Sequence, residues 1–203
     1  MILAFDTSSA ACTAALIDGS KQYVARRDER IGRGHSERLV PMLEELLDGR
    51  TADAILVGVG PGSFTGIRVG IAAAHGLAIG WGAQLSGMSS LALLAAGAKS
   101  GGEIAAAVIG GHGELFVQQF GPAGLDPAGA LLNLCPAEAA AATSAHLVVG
   151  SAARTLVDAR GWGEARDALP SAADAFKLPE HLRSLPPRPV YARAPDAQPR
   201  QAA

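Results

Sequence analysis

From Val69 to Ala98 the chain contains no Lys, Arg, Asp or Glu, and this run limits the possible folds more than any other feature. Its length alone would suffice to cross a bilayer. Gly, Ala and Ser dilute it, however, and "GWGAQLSGMSS" interrupts it with polar and turn-forming residues. That composition predicts two buried helices joined by a short strand, rather than a membrane span.

The segment "GVGPGSFTGIRVG", Gly58 to Gly70, leads into the run. Before it, "AILVGVG" reads as a short, wholly apolar strand, and after it the pattern predicts a helix over Thr65 to Ile79. A strand, a glycine turn and a helix in that order accompany buried parallel strands and place the chain in the α/β class. Gly60, Gly62 and Gly66 allow a sharp turn with exposed amides, and Ser63 or Thr65 can cap the helix. Such a corner can hold an anion at the helix start. It can equally be a turn and nothing more. It is not a triphosphate loop of the Walker type, because no lysine follows the glycines and Arg68 lies a turn inside the helix.

On either side the chain alternates short strands and helices. "MILAFDTSS" and "ACTAALIDGSKQYVARRDE" predict three opening strands, the last two joined by a hairpin at Asp18-Gly19. In "HSERLVPMLEELLDG", Leu39, Leu43, Leu46 and Leu47 fall at helical spacing, with Ser36 as the cap and Gly49 as the stop. Pro41 requires that helix to start after Ser36 or to bend. "EIAAAVIG" and "GELFVQQF" pair around Gly110-Gly111, "PAEAAAAT" and "SAARTLVDAR" read as helices, and "HLVVG" as a strand. No sequence repeat is visible. The expected organisation is a lobe over 1–100, a smaller lobe over 101–184, and a proline-rich extended tail over 185–203 anchored by Val190 and Tyr191.

Candidate chemistry is sparse. His35, His75, His112, His146 and His181 are scattered, which excludes the helical two-histidine metal signature. His75 reads as a core or interface residue, and His35 as one that caps or orients its loop. Ser63 lies in G-S-F-T-G rather than in a nucleophile elbow, and no base pairs with it. Asp6, at the end of the first strand, could meet a nucleotide-bound metal ion or could accept local N–H groups and shape the turn. Cys12 and Cys135 are too far apart for a redox or metal pair and read as small buried residues. A net charge of −2 argues against a broad polyanion-binding surface. The amino terminus shows no basic leader, so a cytoplasmic protein is expected.

In the helix after the corner, Gly66, Gly70 and Ala74 form a stripe that another backbone can approach closely. Ile67, Ile71 and Ala78 can cover a sheet. Val69, Ala73 and Gly76 are left as uncharged surface that needs a cover, either a neighbouring subunit or the chain's own second lobe.

The segments "ILAFDTSSAACTAAL", "GHSERLVPML", "VGVGPGSFTGIRVGIAAAHGLA" and "PVYAR" resemble the TsaB (YeaZ) family of bacterial tRNA threonylcarbamoyladenosine biosynthesis. The first three cover much of the N-terminal half and are specific in combination. One departure is Gly110-Gly111-His112, where the family commonly carries Asp-Ala-Arg. The resemblance implies an actin-like ATPase (ASKHA) fold of two related α/β lobes with a reduced second lobe. It implies a non-catalytic accessory role without cofactor or metal, in which the partner TsaD transfers the threonylcarbamoyl group to N6 of adenosine 37 in tRNAs reading ANN codons. The ATPase TsaE joins the larger complex, tRNA is met only through that complex, and a homodimer can form on the same surface. The resemblance puts the docking surface on the helices matching Ser36–Leu47 and Thr65–Ile79, on which Leu39, Leu43, Val69, Ala73 and Gly76 are the candidate contacts. The competing reading is a kinase or ATPase of the same superfold that uses Asp6, Gly62, Ser63 and Thr65 for nucleotide or anion.

Overall fold

The structure is a computed structural model that describes residues 1–20, 22–98, 100–122 and 125–192. Three antiparallel strands open it, β1 (Ile2–Asp6), β2 (Ala11–Ile17) and β3 (Tyr23–Arg30). Then come α1 (His35–Leu47), β4 (Ala54–Gly58), α2 (Phe64–Trp81) and β5 (Gln84–Met88), with β4 parallel to β1 and β5 parallel to β4. After α3 (Ser90–Gly97) the same succession recurs. It consists of β6 (Ile104–Ile109), β7 (Leu115–Phe120), β8 (Leu132–Leu134), α4 (Pro136–Ala142), β9 (Leu147–Val149), α5 (Ala153–Arg160) and β10 (Glu164–Arg166). The strand orders β3-β2-β1-β4-β5 and β8-β7-β6-β9-β10 are therefore one topology used twice. Two such units facing each other make the two-lobed, actin-like architecture, and the second is reduced, with three of its strands only three residues long.

Alternation along the strands sets the layers. Leu3 and Phe5 of β1 point outward under Leu39, Met42 and Leu46 of α1 and Ile67, Ile71 and Ala74 of α2. Ala4 points inward to a core shared by both sheets, in which α3 and residues 172–182 lie between Leu56 on one side and Ala106, Phe120 and Val149 on the other. The outer face of the second sheet packs Val117 and Val148 against Leu156 of α5 and Ala139 of α4.

The charge-free run thus has two fates. From Ser90 to Ala96 every α3 residue is buried between the lobes. In α2 only one side is buried. Among the described residues no helix is long and apolar enough to cross a membrane.

Several local expectations need correction. α1 starts at His35 behind Gly34, a left-handed N-cap, and Ser36 does not cap it; its hydroxyl donates to Glu37. Starting that early, the helix holds Pro41 inside, on its exposed side. Cys135 is exposed, and only Cys12 is buried. The three-residue strands β8 and β10 are too short to show a sequence period.

Candidate functional site

The glycine corner is built onto Asp6. This carboxylate has no solvent exposure. Its Oδ1 accepts from the Ser8 N–H and hydroxyl, both at 2.7 Å, and its Oδ2 accepts from the Ser90 hydroxyl at 2.5 Å. Ser90 in turn accepts from the Gly60 N–H at 3.1 Å and donates its own N–H to the Gly60 carbonyl at 3.1 Å. One carboxylate therefore ties together the end of β1, the glycine corner and the start of α3. Gly58 is required next to it, since a Cβ there would stand 1.9 Å from Asp6 Oδ2. Of the two roles open to Asp6, the structure shows turn formation. Asp6 itself is not among the residues that line the space between the lobes, although its partners Ser8 and Ser90 are.

The corner also fixes α2. Ser63 caps the helix by accepting from the Gly66 N–H at 3.2 Å, and its own N–H donates to the Ser8 carbonyl at 2.7 Å. The small-residue stripe faces the chain's own turn. A Cβ on Gly66 would lie 2.0 Å from the Thr7 carbonyl oxygen, and Thr7 Oγ1 donates to the Gly66 carbonyl at 2.7 Å. The backbone that approaches this stripe is residue 7, not a partner. Thr65 is exposed on the first turn of α2.

Between the lobes lies a cleft of about 900 Å3. Gly62 and Ser63 line it from the first lobe, and Gly110, Gly111 and His112 from the second. The tail closes one side: Leu185 pairs with Gly87, the Val190 N–H donates to the Val59 carbonyl at 2.9 Å, and Arg68 Nε donates to the Tyr191 hydroxyl at 2.9 Å. Val190 and Tyr191 do anchor the tail, with Leu185 besides; residues 193–203 lie outside the described residues.

The second candidate surface is the outer side of α1 and α2. Leu39 and Leu43 are 0% and 4% exposed and belong to the core beneath α1, which corrects their assignment as contacts. Val69 and Ala73 are half-buried against that core, whereas Gly76 is exposed with open space around it. Residues the spacing did not single out complete the face: Ile79 is 84% exposed, Val40 is 61% exposed, and Ala72 is exposed. Heptad-like spacing locates the buried stripe of a helix, so it found Leu39 and Leu43. On α2 the signal for the outer face was the lack of charge opposite the buried stripe; the outer side of α1 carries the exposed Glu37 and Glu44 beside Val40. His75 lies exposed on α2, and His35 Nε2 sits 3.0 Å from the Ala11 carbonyl, holding the loop before α1 to β2.

Titration shifts occur away from the cleft, on β2, β3 and α1 among other places. Burial pushes the Cys12 thiol up to about 11. The Arg38 guanidinium, 2.6 Å from Glu29 and 3.0 Å from Glu45, holds both carboxyls below their ordinary range. Among the described residues no group of three His, Cys, Asp or Glu could hold a metal ion.

Fold and site together define a class: a two-lobed actin-like protein whose first-strand carboxylate is consumed in holding the glycine corner, leaving an uncharged helix face outside. A family model described as "TsaD: tRNA N6-adenosine threonylcarbamoyltransferase" matches residues 27–146. YeaZ from Pseudomonas aeruginosa superposes with a TM-score of 0.79 at 30% identity, over 94% of this chain and 98% of that one. The tRNA threonylcarbamoyladenosine biosynthesis protein TsaB of Escherichia coli (strain K12) is 38% identical over 128 residues, 59% of this chain and 54% of that protein. The TsaB of Haemophilus influenzae is 40% identical over 100 residues, 46% of this chain and 41% of that protein. The chain belongs to the TsaB (YeaZ) family. Its alignments span about half the length of these curated relatives.

Proposed function

We propose that the chain is a non-catalytic accessory subunit in the transfer of a threonylcarbamoyl group to N6 of adenosine 37 in tRNAs reading ANN codons. In this reading it docks to TsaD through the outer side of α1 and α2, with Val69, Ala73 and Gly76 joined by Val40, Ala72 and Ile79. TsaE and tRNA are met in the assembled complex, and a second copy competes for the same face when TsaD is absent. The observation that carries the proposal is the uncharged outer face of α2, since exposed apolar surface centred on Ile79 gains free energy when a subunit covers it. The buried, fully bonded Asp6 supports a supporting rather than a catalytic role.

The test is size-exclusion chromatography with light scattering, on this chain with and without TsaD. A mass shift is expected, and Ala73→Arg should abolish it, because an unpaired charge in a covered contact costs several kcal/mol, about 3–5. An unchanged complex with Ala73→Arg rejects the surface. Threonylcarbamoylation of tRNA by the purified chain alone rejects the division of labour.

A further inference from the structure

The cleft between the lobes is separate from the α1 and α2 docking face, and its chemistry is unlike a phosphate site. Its walls are apolar and come from both lobes: Ile67 and Leu91 from the first side, Val108 and Phe116 from the second. Ser8 and Ser90 line it, but their hydroxyl hydrogens are directed to Asp6, so they offer the cleft only acceptor lone pairs. Four of the large exposed apolar side chains stand at this one opening: Phe64, Ile109, Val190 and Tyr191.

The charge at the opening has one sign. Among the described lining residues there is no Asp, Glu or Lys, and Arg68 is the sole Arg. Its guanidinium lies 3.6 Å above the Phe64 ring centre and 5.8 Å from that of Tyr191, with Nε donating to the Tyr191 hydroxyl. Its terminal N–H groups have no acceptor among the described residues. Stacking and one hydrogen bond therefore hold the fork in place, and with no described residue accepting from its outer donors it suits a singly charged oxyanion. A volume of about 900 Å3 is in the range of small-molecule sites.

We propose that this cleft binds a small aromatic monoanion, an aryl carboxylate or sulfonate, with its ring between the apolar walls and its acid group on Arg68. Two fluorescent probes test the assignment with the full chain: anilinonaphthalene sulfonate and its uncharged analogue N-phenylnaphthylamine. Both are expected to bind saturably at one site, the sulfonate about tenfold more tightly. Arg68→Gln should remove that tenfold difference and leave the neutral probe unchanged. Ile109→Asp, at an exposed position on the opposite lip, should weaken the sulfonate by at least as much. Gly76→Arg, on the docking face, should change neither. The proposal is overturned by a lack of saturable binding to chain shown folded by circular dichroism, by an Arg68→Gln variant that keeps the sulfonate preference, or by loss of probe binding in Gly76→Arg.

Discussion

Gly76→Arg separates docking from stability because the two effects have opposite sign. Gly76 lies inside α2 in ordinary helical backbone, is exposed, and has no heavy atom within 4 Å of where a Cβ would be. The new side chain meets nothing in the monomer. Glycine in a helix interior is about 0.8–1.0 kcal/mol worse than alanine, and arginine is close to alanine, so the replacement should stabilise the isolated chain by about 0.5–1 kcal/mol. For a chain of 203 residues that raises Tm by about 1–4 °C. If TsaD or a second copy covers the position, the same guanidinium becomes a charge without a partner, and the contact weakens by about 3–5 kcal/mol, more than a hundredfold in Kd. Thermal melting by circular dichroism, over a dilution series that separates unfolding from dissociation, gives the first quantity. Titration calorimetry with TsaD gives the second. A lower Tm would show that the space around Gly76 is not open, and an unchanged Kd with a raised Tm would remove the residue from the docking surface.

Other outcomes follow from the buried network. Gly58→Ala should leave little folded protein, because the added methyl occupies the position of Asp6 Oδ2, and soluble yield with a denaturant midpoint reports it. Asp6→Asn keeps the shape but strips the charge from three hydrogen bonds, with an expected loss of about 2–4 kcal/mol in urea unfolding. Because the Cys12 pKa in the folded chain, about 11, lies above its ordinary 9.0, the folded state holds the proton longer. Stability from this group is complete below pH 9 and is lost as pH rises toward 11, at most about 2–3 kcal/mol, and Cys12→Ser should flatten that alkaline limb. At pH 8 a thiol reagent should titrate one cysteine in the native chain, the exposed Cys135, and two after denaturation.

Apolar runs, the turn dipeptides that flank them and the polar break in the charge-free run were enough for the three opening strands, for β4, α2 and β5, and for the strand pair around Gly110-Gly111. Helical spacing also marked Gly66, Gly70 and Ala74 as a place of close approach, because only small side chains permit one. What approaches could not be read there: the Thr7 turn is 59 residues away along the chain and meets the stripe only after β1 and β4 pair. Nor could spacing tell covered from open. Leu39 and Leu43 look like any apolar stripe, and the sheet beneath α1 decides that they are core, while Val40 and Ile79, unremarkable in sequence, become the exposed face. Asp6 shows the same division. Its position at a strand end is local information, but whether its two oxygens meet a ligand or Ser8 and Ser90 depends on α3 arriving beside the corner, and a contact across 84 residues exists only in the folded chain.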